Sequence, residues 1–249
     1  TARLSGEKAG FFILGKESSM SFSTELHESV LRHGAVNNRY LDRFRRGELE
    51  EREFERFAVQ FFAFVKSFPR ILATLLANTT QDAAADELAT ILVSELGGGD
   101  PKRRHEYLYH RFLRSIGLEP ADAGRRRWLP TTRTYIDGLA ELYGNRDYPK
   151  ALGASFGLEH MAIPMWDQLI PGLETLKRKH ASLSGMDLFY WTFHRELEQG
   201  HEDAMSRTLE TLPPEEESAL RQGCVRALDL LEGFWLGLDG PRLGAEPLF

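Results

Sequence analysis

His194, Glu198 and His201 follow one another at intervals of four and three residues, a spacing that can bring imidazole and carboxylate donors together. At about 100° per residue the three fall within roughly 60° of each other on a helix. The same stripe carries Tyr190, Leu197 and Met205, so it faces a core rather than water. Three further ionisable residues sit on apolar stripes. Glu159 lies in the middle of the face made by Leu152, Phe156, Ile163 and Trp166. Glu95 follows Leu88, Ile91 and Leu92, and His105 opens the face of Leu108, Tyr109 and Phe112.

One inward His is ordinarily a satisfied core residue, and one Glu near a helix end ordinarily caps or pairs. Four helices presenting such groups together need a common cause. Buried carboxylates cost several kcal/mol each unless they are neutralised, paired or metal-bound. No Lys or Arg occupies these stripes, so the organic counter-charge is missing. Two divalent cations would supply it. Carboxylate and imidazole without thiolate suit iron, with manganese as the alternative, and leave room for O2 as a co-substrate.

The elements that must position these groups are helices throughout; no stretch alternates apolar and β-branched residues between turn signals, and the fold class expected is all-α. Phe57, Phe61, Phe64, Phe68, Leu72 and Leu75 mark a long core helix over 53–77, with Pro69 as a kink point. Asp82 is the expected N-cap of a helix reaching Leu96, which Gly97-Gly98-Gly99 stops. Asp100-Pro101 is expected to open a helix to about Ile116, and 119–130 to be loop. Further helices are expected near 132–143, from Pro149 to about Ile170, and after a Ser184/Asp187 capping pattern as far as Leu209. After Pro213-Pro214, the residues Leu220, Cys224, Ala227, Leu231, Trp235 and Leu238 form one stripe. Residues 1–20 have weak periodicity and are expected to be an extension to one domain spanning 21–249.

The ligand spacing resembles a known family. His194-x-x-x-Glu198-x-x-His201, preceded by Glu95-Leu96-Gly97 with His105 ten residues beyond Glu95, and by Leu152-Gly153 and Gly157-Leu158-Glu159, is similar to the heme-oxygenase-like diiron oxidases. Relatives of that family include the iron-containing redox enzymes and the TenA/PqqC proteins. Arg39-Tyr40-Leu41, Gln60-Phe61-Phe62-Ala63-Phe64 and Phe68-Pro69 look like the family's first core helices. The resemblance runs from about Asn37 to Leu209 and implies a heme-oxygenase-like helical bundle. It implies two iron ions held by Glu95, His105, Glu159, His194, Glu198 and His201. The family's usual residue between the two late histidines is Asp, and Glu198 departs from it by one methylene. The implied activity is O2-dependent oxidation of an amino acid, amine or fatty acid, by N-oxygenation or by C–C or C–N cleavage. Gln60, Phe57, Phe61 and Phe64 are the expected substrate-pocket residues, Gln60 orienting a polar head.

Other motifs lead elsewhere and are weaker. A ferritin-like site needs two Glu-x-x-His elements, and only Glu198-x-x-His201 is present. Gly153-Ala154-Ser155-Phe156-Gly157 matches a nucleophile elbow but lies in a helical run without flanking strands. His105-Glu106 followed by His110 misses the zinc-protease spacing. Ser23-Thr24-Glu25-Leu26-His27-Glu28 resembles the heme-holding helix of heme oxygenases, although ordinary surface exposure would account for His27. A heme-binding protein, a cofactor-free TenA/PqqC-like enzyme and a non-catalytic scaffold remain the alternatives.

A formal charge of −6 gives no reason to expect nucleic acid, and Arg125-Arg126-Arg127 is expected to be a solvated loop. One cysteine excludes an internal disulfide framework and suits a reducing cytosol, so the expected location is cytoplasmic. No membrane association is expected, a small molecule is the expected partner, and a homodimer is allowed.

Overall fold

Apolar residues at helical spacing account for most of the architecture. The computed structural model describes residues 21–210 and 212–240, and among these there are ten α-helices and no strand. They are α1 (Phe22–Arg32), α2 (Arg39–Arg45), α3 (Glu51–Asn78), α4 (Asp82–Glu95), α5 (His105–Ser115), α6 (Pro120–Ala123), α7 (Pro130–Tyr143), α8 (Tyr148–Lys179), α9 (Phe189–Glu210) and α10 (Glu217–Asp239). The all-α expectation holds. The expected extension 1–20 lies outside the described residues.

Helix α8 is the axis of the molecule and packs against α1, α2, α7, α9 and α10. Its first half is buried on every side, which a helix achieves only when neighbours surround it. Two glycines bring α10 close. A Cβ on Gly153 would lie 2.0 Å from the Leu220 carbonyl oxygen, and one on Gly223 would lie 1.8 Å from that of Lys150. The Gly-x-Ser-x-Gly segment is therefore a helix-crossing surface, and Ser155 is buried inside it.

Helix α3 packs on α4, α5 and α7, and its aromatic face joins the main core through Phe57 and Phe61, both against Trp191. Tyr109 of α5 donates to the Ala58 carbonyl (2.9 Å), fixing α5 along α3. Among the described residues α3 alone is long and apolar enough to cross a bilayer, but its apolar residues are spent on this core.

Several boundaries differ from expectation for identifiable reasons. Gln81, not Asp82, precedes α4, and no side chain caps it. Asp100 does cap, accepting from the Lys102 amide, yet it opens only a 3₁₀ turn over Pro101–Arg103, and α5 begins at His105. Ser184 bonds back to Ala181, and Asp187 accepts from the Phe189 amide, so the expected capping box does not form and α9 starts later. Helix α8 includes Pro164, as expected, and continues past Ile170 through Pro171 to Lys179. Burial of Leu169, Leu173 and Leu176 holds it helical where proline alone would end it. The 119–130 stretch contains the short helix α6, and Arg126 in its Arg triplet is anchored to Glu55.

Candidate metal centre

Helices α4, α5, α8 and α9 meet where their inward stripes carry the six ionisable residues. Glu95 ends α4, His105 starts α5, Glu159 lies mid-α8, and α9 brings His194, Glu198 and His201. The geometry divides them into two sets of three. Donor atoms of Glu95, His105 and His194 lie within 4.8 Å of one another, and so do those of Glu159, Glu198 and His201. Sequence spacing gave no such division, because it groups the α9 residues together.

The donors converge on common points and satisfy each other only in part. His105 Nδ1 is 2.9 Å from Glu95 Oε2, yet both its ring nitrogens are buried without a hydrogen bond. The His105 and His194 rings are 3.9 Å apart between centroids. His194 Nδ1 is 2.8 Å from the Tyr190 carbonyl oxygen, which can only accept, so Nδ1 carries the proton and Nε2 keeps its lone pair. In the other set, His201 Nδ1 faces Glu159 Oε2 at 3.5 Å and Glu198 Oε2 at 3.6 Å. Glu198 Oε2 has no hydrogen bond, while its Oε1 receives a long one (3.4 Å) from Trp166 Nε1. Buried polar atoms are nearly always satisfied in native proteins, so the two His105 nitrogens and Glu198 Oε2 are groups that a bound cation would satisfy.

Electrostatics point the same way. Burial lifts the Glu95 carboxyl to about 7, the charge of His201 only partly opposing it. Burial also lifts Glu198 to about 7. Burial holds His105 and His194 down at about 3, which keeps both imidazoles neutral, the form that binds metal. For His201, burial alone would lower the pKa, but Glu159 and Glu198 together outweigh it and raise it to about 10. A cation between these carboxylates would replace the proton that each set now favours. The donor types and the orphaned atoms therefore fit two first-row divalent ions, one per set.

A cavity of about 40 Å³ adjoins the centre, lined on the ionisable side by Glu95, Glu159, His194, Glu198 and His201. Its apolar wall comes from Phe64, Phe68, Leu158, Met161, Met165 and Trp166. Among the described residues no Lys or Arg lines it. Of the four expected pocket residues, Phe64 alone reaches this cavity. Phe57 and Phe61 stack within the aromatic core. Gln60 is buried and fully engaged: its amide donates to the Arg127 carbonyl (3.2 Å) and its oxygen accepts from the Leu129 amide (2.9 Å). These bonds anchor the 127–129 backbone to α3. Sequence reasoning missed the wall supplied by α8, because Leu158 and Met161 lie outside the stripe marked by Leu152, Phe156 and Trp166. Burial of α8 on all sides makes that second face visible only in the fold.

His27 is also not the ordinary surface residue expected. It is partly covered, lies 3.2 Å from Glu202, and meets the ring of His160 edge-on.

Comparison with known proteins follows this geometry. The family model described as iron-containing redox enzyme matches residues 55–232. The 4-chloro-allylglycine synthase of Streptantibioticus cattleyicolor is 23% identical over 214 residues, covering 84% of this chain and 79% of that protein. The 4-aminobenzoate synthase of Chlamydia pneumoniae is 22% identical over 200 residues, covering 80% and 86%. A solved domain of heme oxygenase-like fold from Shewanella denitrificans superposes with a TM-score of 0.64 at 16% identity, covering 87% of each chain. The match spans all the helices that supply the six donors, and on it the chain belongs to the iron-containing redox enzyme family.

Proposed function

We propose that the two sets of three donors each hold one iron ion, and that the chain is a diiron oxidase using O2 to oxidise a small organic molecule. The observation that carries this reading is the partition itself: two carboxylate–imidazole triads, buried side by side, with no Lys or Arg among the described residues lining the cavity they face. Glu95, His105 and His194 would hold one ion, and Glu159, Glu198 and His201 the other. Iron, when bound, supplies the electrons that activate O2 and the oxidising power turned on the substrate.

The chain's own groups prepare that chemistry. The Tyr190 carbonyl fixes the His194 tautomer and ring orientation. Trp166 Nε1 steadies one oxygen of Glu198 and leaves the other free to ligate. Phe64, Phe68, Leu158 and Met165 exclude bulk water, which strengthens every charge interaction inside. A volume of about 40 Å³ holds little more than a diatomic gas or a few waters, so a substrate enters by displacing side chains such as Met161 and Met165.

Both relatives are named for products that carry an amino group and a carboxylate. That supports a small amine or amino acid, its polar end toward the metals and its body along the apolar wall; a fatty acid is the alternative. Anaerobic Fe(II) titration of apoprotein followed by O2, watched by visible absorption, tests the reading. Uptake of about two Fe(II) per chain with a transient band on O2 addition is expected. Manganese titration tests whether the same donors accept it. Uptake near zero, or a Soret band with hemin that requires His27, overturns the two-iron reading.

A further inference from the structure

Beside the two triads lies a third convergence of donors that the proposed reaction does not use. His27 on α1, His160 on α8 and Glu202 on α9 offer ligand atoms all within 4.8 Å of one another. His160 and Glu202 each follow a proposed iron ligand by one residue. A step of about 100° turns them off the iron-facing stripe and toward α1.

The three groups are arranged like the iron donors. His160 Nδ1 is 3.0 Å from the Phe156 carbonyl four residues earlier, so it carries the proton and Nε2 keeps the lone pair. His194 is set in the same way by Tyr190. This is the usual device that fixes the tautomer of a metal-binding histidine. The ring is held further by stacking on Phe156, with centroids 3.6 Å apart. Its Nε2 faces only the rotatable Ser206 hydroxyl at 2.9 Å. His27 Nδ1 is closed off from solvent and makes no hydrogen bond, although Glu202 Oε1 is 3.2 Å away. Ring nitrogen and carboxylate are close but not aligned for a hydrogen bond, as at His105 and Glu95.

We infer that His27, His160 and Glu202 form a third metal site, for one divalent first-row transition ion. Two imidazoles and one carboxylate exclude Mg(II) and Ca(II), which take oxygen donors, and match Zn(II), Co(II), Mn(II) or Fe(II). His27 and Glu202 are partly exposed, with side-chain exposures of 30% and 16%, so this ion exchanges with solvent more readily than the buried pair. Binding ties α1 to α8 and α9, the helices it already packs against.

Co(II) titration of apoprotein, followed by ligand-field absorption, tests the site without relying on activity. Wild type is expected to saturate at about three Co(II) per chain, and His27→Ala and Glu202→Gln separately at about two, with helical circular dichroism unchanged. Both replacements are at partly exposed positions, so folding should survive at least one. Saturation at two in wild type and in both variants overturns the third site and leaves the two-iron reading standing. Saturation at one in wild type and none in the variants supports the third site and overturns the two-iron reading. Any stoichiometry that both variants leave unchanged overturns the third site.

Discussion

Helix α9 delivers His194, Glu198 and His201 from successive turns of one element, whereas Glu95 and His105 reach the same centre from two helices joined by a glycine turn. On α9 the relative positions of the donors follow from helix geometry, so backbone hydrogen bonds already fix them. Across the turn they follow from Gly97, Gly98 and Gly99, all at positive φ (92°, 59° and 92°). That turn is bonded locally: the Gly97 amide reaches Ser94, that of Gly98 reaches Val93, and that of Asp100 reaches Gly97. Equivalent ligand chemistry is thus supported in one place by a continuous ladder and in the other by a backbone conformation that only glycine adopts without strain.

The largest effect is expected on the continuous side. Glu198→Ala should lower activity by about 100-fold or more and strip one iron, because a direct ligand matters at least as much as the residues that support ligands. Apoprotein stability should fall by about 1–3 kcal/mol, since the Trp166 Nε1–H loses its acceptor and His201 loses one of its two carboxylates. Glu198→Asp should retain activity. Metal analysis and thermal unfolding check all three, and two-iron loading in Glu198→Ala removes Glu198 from the ligand set.

Gly97→Ala should act next, through the turn. A Cβ there would lie 2.4 Å from the Asp100 carbonyl and 2.7 Å from the Arg104 amide, one residue before His105. With φ at 92° as well, the cost should be about 1–3 kcal/mol, and the ion at Glu95, His105 and His194 should weaken while its neighbour is kept. Gly98→Ala is the control: its φ of 59° suits the left-handed region and nothing lies within 4 Å. It should cost about 1–2 kcal/mol and leave metal binding unchanged. Equal iron affinity in the two variants would break the proposed link between this turn and the centre.

The mildest test leaves the sequence intact. Amide exchange over residues 91–109 should slow on iron loading, because metal ties both ends of the turn together. The α9 segment around His194 should change less. Equal protection of 91–109 with and without iron would show that the glycine turn is rigid on its own.

By itself the sequence determined the helical class and the six ionisable residues on inward stripes, because apolar periodicity is a local property of the chain. It also determined the approximate extent of α3 and α10, where an apolar stripe runs along the helix, and of α7. Tertiary structure decided what periodicity does not encode. It split the donors across helices, joining His194 to Glu95 and His105, and His201 to Glu159. It carried α8 past Pro171, because neighbours bury its far end. It engaged Gln60 with the 127–129 backbone, a contact nearly seventy residues away in sequence. It also turned His27 from an apparent surface residue into the partner of His160 and Glu202. Each of these depends on which helix faces which, and that is set by summed packing over the whole core, not by any local stretch.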